Sequence, residues 1–569
     1  MASRATSERS GLLRLVLAQA LAVPCLVLAA CGGGGGGGSA SSPTAGQAGA
    51  VGSGVPVTAA TADPGTAPGA DPVANPAVPT ATDPGGVVVP DTVPPTADFL
   101  TRPPALFKAE SLVVGFSEPM DPSSLVLTGD LAAAATPGWN ARSDTLTLTP
   151  GPAGWPLGSS LRITLEARDK AGNALAPLRA EFRVRLDLRN NQPALAVIGQ
   201  TDFSGVYGNQ PFPPGVPTAS NLVYPTGNPF LSPQGRLVVP DSGNNRLLVF
   251  DGVPAASGAS AVAVVGQPDF SSDAYLVDAA HRLGPRGMAA WGDRFIVSEY
   301  LADRVAIYPD SPLGGIPTLP TVVLGLPTFG TDTRLLINAP TCDATRLLRP
   351  TGVAVTPDGR LLVVDSGHHR VLIWNRVPTL SGTPADHVLG QPGMSTCDPN
   401  ATATSGGASA VSARSLNAPV GLWTDGTRLV VVDAGNHRVL IWNSFPQASF
   451  APADLVLGQP DFTANNNSLS PSATTVARNP GTGSLYGEVA SNGIQLAIAD
   501  TMDHRVLLWN NFPSRNAQPA DVVLGQASFT ESAARQESAS SLYIPRGVLF
   551  SADGLLVTNG QRVSIFKSN

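Results

Sequence analysis

Apolar residues in the second half of the chain fall into short runs of four or five, and the runs come in pairs around a polar loop. The copies read Asp241-Ser-Gly-Asn-Asn-Arg246-LLVF, Glu299-Tyr-Leu-Ala-Asp-Arg304-VAIY, Asp365-Ser-Gly-His-His-Arg370-VLIW, Asp433-Ala-Gly-Asn-His-Arg438-VLIW, Asp500-Thr-Met-Asp-His-Arg505-VLLW and a shortened Asn559-Gly-Gln-Arg562-VSIF. The arginine returns after 58, 66, 68, 67 and 57 residues. Runs this short, bounded by turn residues and rich in Val, Leu and Ile, predict β-strands. A fixed period of such strands predicts an array of like units, none of which buries its apolar faces alone.

Each unit supplies four strands. An inner strand starts at Gly227, Gly287, Gly352, Gly421, Gly487 or Gly547, and the acidic or amide residue follows 12 to 14 positions later at the end of a second strand. The arginine opens the third. Runs at 264–267, 323–326, 388–391, 456–459 and 523–526, mostly Val-x-Gly-Gln, form the fourth. Four strands make one blade, and the prediction is an all-β, six-bladed β-propeller over 193–569. Only five of the fourth strands follow their own blade. The sixth, at 197–200, precedes blade one, so it must pair with the last blade and close the ring, removing the open sheet edge. Runs such as 361–364 and 371–374 are apolar on both faces, as a sheet between two neighbours requires. The terminal aromatics Phe250, Tyr308, Trp374, Trp442, Trp509 and Phe566 belong to the core.

The Asn/His-Arg loops around His369, His437 and His504 resemble those of the NHL-repeat β-propeller family. The repeated pairs Asp241–Arg246, Glu299–Arg304, Asp365–Arg370, Asp433–Arg438 and Asp500–Arg505 read as structural: the carboxylate caps its loop and makes a partly buried pair with arginine. Blade six has Asn559 before Arg562, so one side of its pair is neutral. Repetition argues against catalysis, which needs one constellation. The three histidines do not predict a metal either, because packed sheets lie about 10 Å apart whereas zinc ligands sit about 2 Å from the ion. Neither His368, His281 nor His387 adds metal-ligand spacing.

Ahead of the array, segments 111–116, 145–149, 161–166 and 181–185 alternate apolar and polar residues, as half-buried antiparallel strands do. Phe116-Ser-Glu-Pro-Met-Asp121, Trp139, Thr145-Leu-Thr-Leu-Thr-Pro150 and Ala167-Arg-Asp-Lys-Ala-Gly-Asn173 resemble the bacterial Ig-like domain of surface-layer and adhesin-type proteins. The resemblance implies a small sandwich spacer over 96–188. Asp121, Asp169 and Asn173 read as turn residues bonding their own backbone rather than as calcium ligands.

The first 31 residues change the picture of where the protein works. Arg4, Arg9 and Arg14 precede a short apolar run and Leu28-Ala29-Ala30-Cys31, which resembles a bacterial lipoprotein signal. The resemblance implies cleavage before Cys31, acylation (palmitate) of that cysteine and, with Gly32 after it, sorting to the outer membrane, on its periplasmic or outer face. Several acyl chains at about 0.8 kcal/mol per buried methylene hold firmly. Residues 32–95 begin with seven glycines and continue in Ala, Pro, Thr and Val. They read as a disordered tether spanning about 45 Å as a flexible coil. Without the leader, 32 basic residues (35 − 3) stand against 41 acidic ones (42 − 1), a net charge of −9. No Lys/Arg cluster offers a footprint for nucleic acid, and the expected state is a monomer. Cys342 and Cys397 remain, and outside the cytoplasm they predict a disulfide.

Chemistry is expected where blades differ. The inserts at about 201–224, 268–284, 327–349, 392–418, 460–484 and 527–544 lie on one face and are long for connections inside a domain. Cys342 and Cys397 occupy the two inserts that flank blade three. At the mouth of the central channel stand Thr226, Arg286, Thr351, Val420, Tyr486 and Arg546, a cationic and aromatic ring suited to an anionic or polyhydroxylated ligand. The expectation is an envelope binding protein that recognises a protein or glycan through the insert face, with no cofactor and no metal. Two alternatives are a structural envelope spacer and a metal-assisted enzyme at the channel, the latter because some six-bladed relatives that this fold resembles are lyases or lactonases.

Overall fold

The computed structural model describes residues 90–101, 105–157, 160–209, 215–281, 284–309, 319–329, 342–402, 409–467, 470–476, 487–535 and 538–569. The expected leader, Cys31 and nearly all of the tether lie outside these residues.

Strand pairing follows the hydrophobic runs. From 196 onward the strands form six four-stranded sheets, each antiparallel and each in sequential order except the last. Blade three is typical, with Pro350–Val355, Leu361–Asp365, Arg370–Trp374 and His387–Leu389. Blade six comprises Pro545–Phe550, Gly554–Asn559 and Arg562–Lys567, and its outer strand is Ala196–Ile198, from the front of the array. That strand pairs Ile198 with Val563 and Ala196 with Ile565, so the ring closes on a borrowed strand.

Central strands are buried along their whole length because neighbouring blades cover both faces. Leu362 and Val364 of blade three share one core with Leu429, Val431 and Leu440 of blade four. Each such side chain contributes about 1.5–3 kcal/mol on burial. Trp374 and Trp509 are buried too, and each indole nitrogen donates to a carbonyl, of Thr383 and Gln518.

The turn between the second and third strands is one 3-10 turn that ends in a left-handed residue. Asn245, Asp303, His369, His437 and His504 hold φ near +50 to +55° there. Asn, Asp and His are the non-glycine residues that tolerate this conformation best, which is why the repeat draws on them.

Asp365 and Arg370 face each other across that turn and are wholly buried, as are their counterparts in blades one, two, four and five. The expectation of partial burial is therefore corrected, since the inserts fold over the pair and exclude water. Burying a guanidinium is tolerable only when its donors are satisfied. In blade four Arg438 Nε donates to Asp433 Oδ2 at 2.8 Å, Nη1 to the Phe462 carbonyl at 2.5 Å, and Nη2 to the Ser412 and Ser415 carbonyls at 2.9 Å. Asp433 in turn accepts from Asn436 Nδ2 and the Asn417 amide. Burial drives the Asp433 carboxyl upward, while Arg438 and these hydrogen bonds favour its charged form. In blade six Asn559 donates to Ser564 Oγ at 3.0 Å, and Arg562 is brought down to about 10 by burial, opposed by Asp202.

Residues 97–185 form an eight-stranded sandwich of two four-stranded sheets around Leu112, Val114, Leu146, Leu148, Ile163, Leu165 and Phe182. The pattern of alternation found four of these strands. It missed Ala97–Phe99, Ala105–Phe107, Met120–Thr128 and Ala135–Trp139, which are too short or too polar to alternate clearly. The chain leaves the sandwich along blades five and six. Leu186 exchanges two hydrogen bonds with the Gln495 side chain, Arg185 donates to Asn511, and Leu186 and Leu188 join the core between these blades. Gln495 and Asn511 border the first-to-second and third-to-fourth connections, so the sandwich docks on the face opposite the inserts.

Replacing Asp433 with Asn leaves the Arg438 charge buried without a counter-ion and is expected to cost about 3–5 kcal/mol in urea-induced unfolding. Glu181→Gln, which breaks the exposed Arg162–Glu181 pair, leaves the midpoint unchanged.

Candidate functional site

The buried arginines organise the insert face. In blades one to five Nη1 reaches a carbonyl of the insert that follows (Phe270, Phe329, Met394, Phe462 or Phe529), and Nη2 reaches one or two carbonyls of the insert that precedes. The glutamine after each fourth strand adds a second fastening: Gln391 Nε2 donates to the His369 carbonyl at 3.1 Å and to the Asp398 carbonyl at 2.8 Å. Gln200, Gln267, Gln459 and Gln526 make the equivalent bonds. Cys342 and Cys397 are joined, with Cα atoms 6.2 Å apart, and link the inserts on either side of blade three.

The left-handed loop residues connect one blade to the next. His369 Nδ1 accepts the Ala418 amide at 2.9 Å, and His504 Nδ1 accepts the Ile544 amide at 3.1 Å. Asn245 Oδ1, Asp303 Oδ1 and Gln561 Oε1 do the same for Gly284, Arg349 and Tyr224. Accepting at Nδ1 requires a neutral ring with its proton on Nε2. Burial pushes both histidines below 6.5, and for His369 the neighbouring His368 adds to the effect. The histidines are thus hydrogen-bond acceptors between blades. His368 and His281 bond Asp365 and Asp278, and His387 lies on a fourth strand.

The amides accepted in this way belong to residues just before a proline. Tyr224, Arg349, Ala418 and Ile544 hold φ of +46°, +51°, +42° and +49°, and Pro225, Pro350, Pro419 and Pro545 follow. One residue further on come Thr226, Thr351, Val420 and Arg546, and then the inner-strand glycine. The motif x-Pro-x-Gly is the sequence signal for the channel mouth in five blades, and Gly284-Pro-Arg286-Gly287 is the fifth. The glycine is needed for close approach: a Cβ on Gly547 would lie 2.0 Å from the Gly227 carbonyl oxygen, and one on Gly421 would lie 2.6 Å from Glu488 Oε2.

Thr226, Arg286, Thr351, Val420 and Arg546 do line one cavity, together with Gly227, Gly487 and Glu488. Tyr486 lies outside the described residues. The cavity is narrow, about 10 Å³, room for about one water molecule. Arg546 is buried, donates from Nη1 to the Gly560 carbonyl at 3.2 Å and lies over the Tyr224 ring. Arg286 is half-buried with its guanidinium 3.5 Å from the Tyr300 ring centroid. Thr351 Oγ1 is buried with no hydrogen-bond partner among the described residues.

Glu488 went unnoticed in the sequence. Its counterparts after the other inner-strand glycines are Asn228, Met288, Val353, Leu422 and Val548, so a carboxyl in an otherwise uncharged slot was the available signal. It is 5 % exposed, and burial pushes it well above the usual carboxylate range, with Arg286 pulling the other way. The cavity thus sets one carboxyl against two guanidiniums.

In the sandwich, Asp121 turns to Ser123, while Asp169 accepts from Asn173, so the three residues considered for calcium are not assembled around one point. Asp169 instead lies with Asp91 and Glu118, their carboxylate oxygens within 4.8 Å of one another. Glu118 is raised by burial first and then by these two neighbours. No helix among the described residues is long and apolar enough to cross a membrane.

Residues 347–374, which carry the Asp365–Arg370 turn, match the NHL repeat family. No curated protein matches the chain. Among solved structures it is similar to streptogramin B lyase (11% identity over 79% of this chain and 99% of that one, TM-score 0.31). It is also similar to virginiamycin B lyase from Staphylococcus aureus (9%, 78% and 99%, TM-score 0.29). A third likeness is to the PQQ-bound aldose sugar dehydrogenase of Streptomyces coelicolor (15%, 62% and 96%, TM-score 0.33). The activities in those names are those proteins' own. The ring described above is a β-propeller of six blades, one of which matches the NHL repeat.

The two capping histidines make stability pH-dependent. Their folded values lie below 6.5, so the unfolded chain binds more protons as pH falls, and stability present above about 6.5 is lost below it. The double variant His369→Asn, His504→Asn keeps an acceptor that tolerates the left-handed turn. Thermal melts between pH 7 and 5 are expected to fall less steeply for it than for the native chain.

Proposed function

We propose that this chain is a lipid-anchored protein of the cell envelope, held at the outer membrane through Cys31, whose propeller recognises a protein or glycan ligand on its insert face. The Gly/Pro-rich segment 32–95 serves as tether and the sandwich, read as a bacterial Ig-like domain, as spacer. The observation that carries this reading is the convergence of Arg286, Arg546 and the buried Glu488 on one cavity at the centre of the insert face. Burying cations there costs stability and contributes nothing to ring closure, which the inter-strand pairs already provide. Two guanidiniums against a single carboxyl favour an anionic group over a cation.

Two further features support recognition. The inserts are fixed by arginine, glutamine and the Cys342–Cys397 bridge, and a preorganised surface loses less freedom on binding. The sandwich occupies the opposite face, so the spacer leaves the inserts uncovered.

The anchor is tested by Cys31→Ser, which is expected to abolish palmitate labelling and move the protein from the detergent-extracted membrane fraction to the aqueous one. Recognition is tested by probing arrays of envelope proteins and glycans with the full chain. Binding should be lost in the pair Arg286→Gln, Arg546→Gln, and equal binding by that variant would overturn the reading.

A further inference from the structure

The glutamine after a fourth strand fastens the next insert by a reciprocal pair of bonds, and the pair is not complete in every blade. Gln267, Gln459 and Gln526 donate from Nε2 to the carbonyls of Ala274, Asn466 and Ala533, seven residues on, and accept the amides of the same residues at Oε1. After blade two the position is Leu326, whose side chain does neither. After blade three Gln391 Nε2 reaches the Asp398 carbonyl, but Oε1, on a residue 0 % exposed, has no hydrogen-bond partner among the described residues. The inserts that follow these two blades, at 327–349 and 392–418, are the ones joined by Cys342 and Cys397. Gln200 also leaves Oε1 without a partner among the described residues, and its insert has no cysteine.

The bridge therefore stands where the glutamine fastening is missing or half made. Arg370 already brings the two inserts together through the carbonyls of Asp343, Arg346 and Met394. Cys342 precedes Asp343 and Cys397 precedes Asp398, so the covalent link adds its hold at the points that the hydrogen bonds leave short. All four strands of blade three lie between the two cysteines, and the blade shares one core with blade two and another with blade four. Its place in the ring does not depend on the bridge. Cys342 is 6 % exposed and Cys397 is half-buried, so a reductant reaches the bridge from the Cys397 side.

We infer that the Cys342–Cys397 bridge is a redox latch of the insert face: a site of thiol–disulfide exchange with a dithiol reductant, whose opening frees the inserts at 327–349 and 392–418 and leaves the ring and the other inserts as they are. A thiolate of the dithiol attacks the Cys397 sulfur, the bond to Cys342 breaks, and the Cys342 thiolate takes up a proton. The second thiol of the reductant then attacks the mixed disulfide and releases Cys397, so the protein gains two thiols and the dithiol leaves as a disulfide.

The test is hydrogen exchange read by mass spectrometry on the full chain, oxidised and after dithiothreitol. On reduction the amides of 343–349 and 392–402 are expected to exchange at least about tenfold faster. Those of 268–281 and 527–535, and those of the blade-three strands Leu361–Asp365 and Arg370–Trp374, are expected to keep their rates. The double variant Cys342→Ser, Cys397→Ser should show the fast rates with and without dithiothreitol, which separates opening of the bridge from other effects of the reductant. Gln459→Leu, which copies Leu326 into an insert that has no cysteine, should speed exchange at Asn466 by about tenfold in either redox state. Unchanged rates at 343–349 and 392–402 on reduction, equal acceleration in every insert, loss of protection in the blade-three strands, or full protection of Asn466 in folded Gln459→Leu would overturn the inference. None of these measurements uses a ligand, so their failure leaves the reading of the insert face as a recognition surface standing.

Discussion

The buried arginine of each blade is the interaction on which the rest of the structure depends. An arginine enclosed at the start of a third strand is tolerated only if its donors are satisfied. In blades one to five the second strand supplies a carboxylate, five residues back. The carbonyls come from the two inserts that flank the blade, so satisfying one charge fixes three segments of chain. In blade four these are Asp433, Phe462 and the pair Ser412 and Ser415. The long connections of this propeller are therefore held by the core rather than merely attached to it.

A second set of bonds turns six sheets into one ring. In four blades the left-handed residue beside the arginine accepts an amide of the next blade's rim, in blade six Gln561 does so, and in two blades the acceptor is a neutral histidine. The rim residue so held is itself left-handed and precedes proline in four blades, a conformation of limited stability. It persists because the neighbouring loop fixes its amide. Its consequence is felt two residues later, where the side chains of Thr226, Thr351, Val420 and Arg546 turn into the channel. Fold stability and site geometry thus share the same hydrogen bonds.

The channel mouth is built differently. In blades one to five the buried arginine meets an acidic residue of its own blade, as Arg370 meets Asp365 and Arg505 meets Asp500. At the axis, Arg286, Glu488 and Arg546 come from three different blades and line one cavity with Thr226 and Thr351. Glycines such as Gly421 and Gly547 let the inner strands approach closely enough to bring them together.

Much of the fold was legible because the repeat is enforced by burial. Strands sandwiched between neighbours must be apolar on both faces, so the runs ending in Trp374, Trp442 and Trp509 announce themselves, and counting fourth strands places 197–200 beside the last blade, where the strand observed is Ala196–Ile198. The ring at the channel mouth was legible for the same reason, since it precedes a glycine that close approach demands. Glu488 was not, because one acidic residue after a glycine carries no periodic signal; its importance arises only when six inner strands converge and remove its water. The role of the histidines was equally hidden, because a hydrogen bond from blade to blade links residues 40 to 49 apart in sequence. The chain alone determined how many blades there are and how they close, since those follow from local hydrophobic pattern and arithmetic. Only the tertiary structure decided which charges are buried together, since solvation depends on neighbours that the sequence sets far apart.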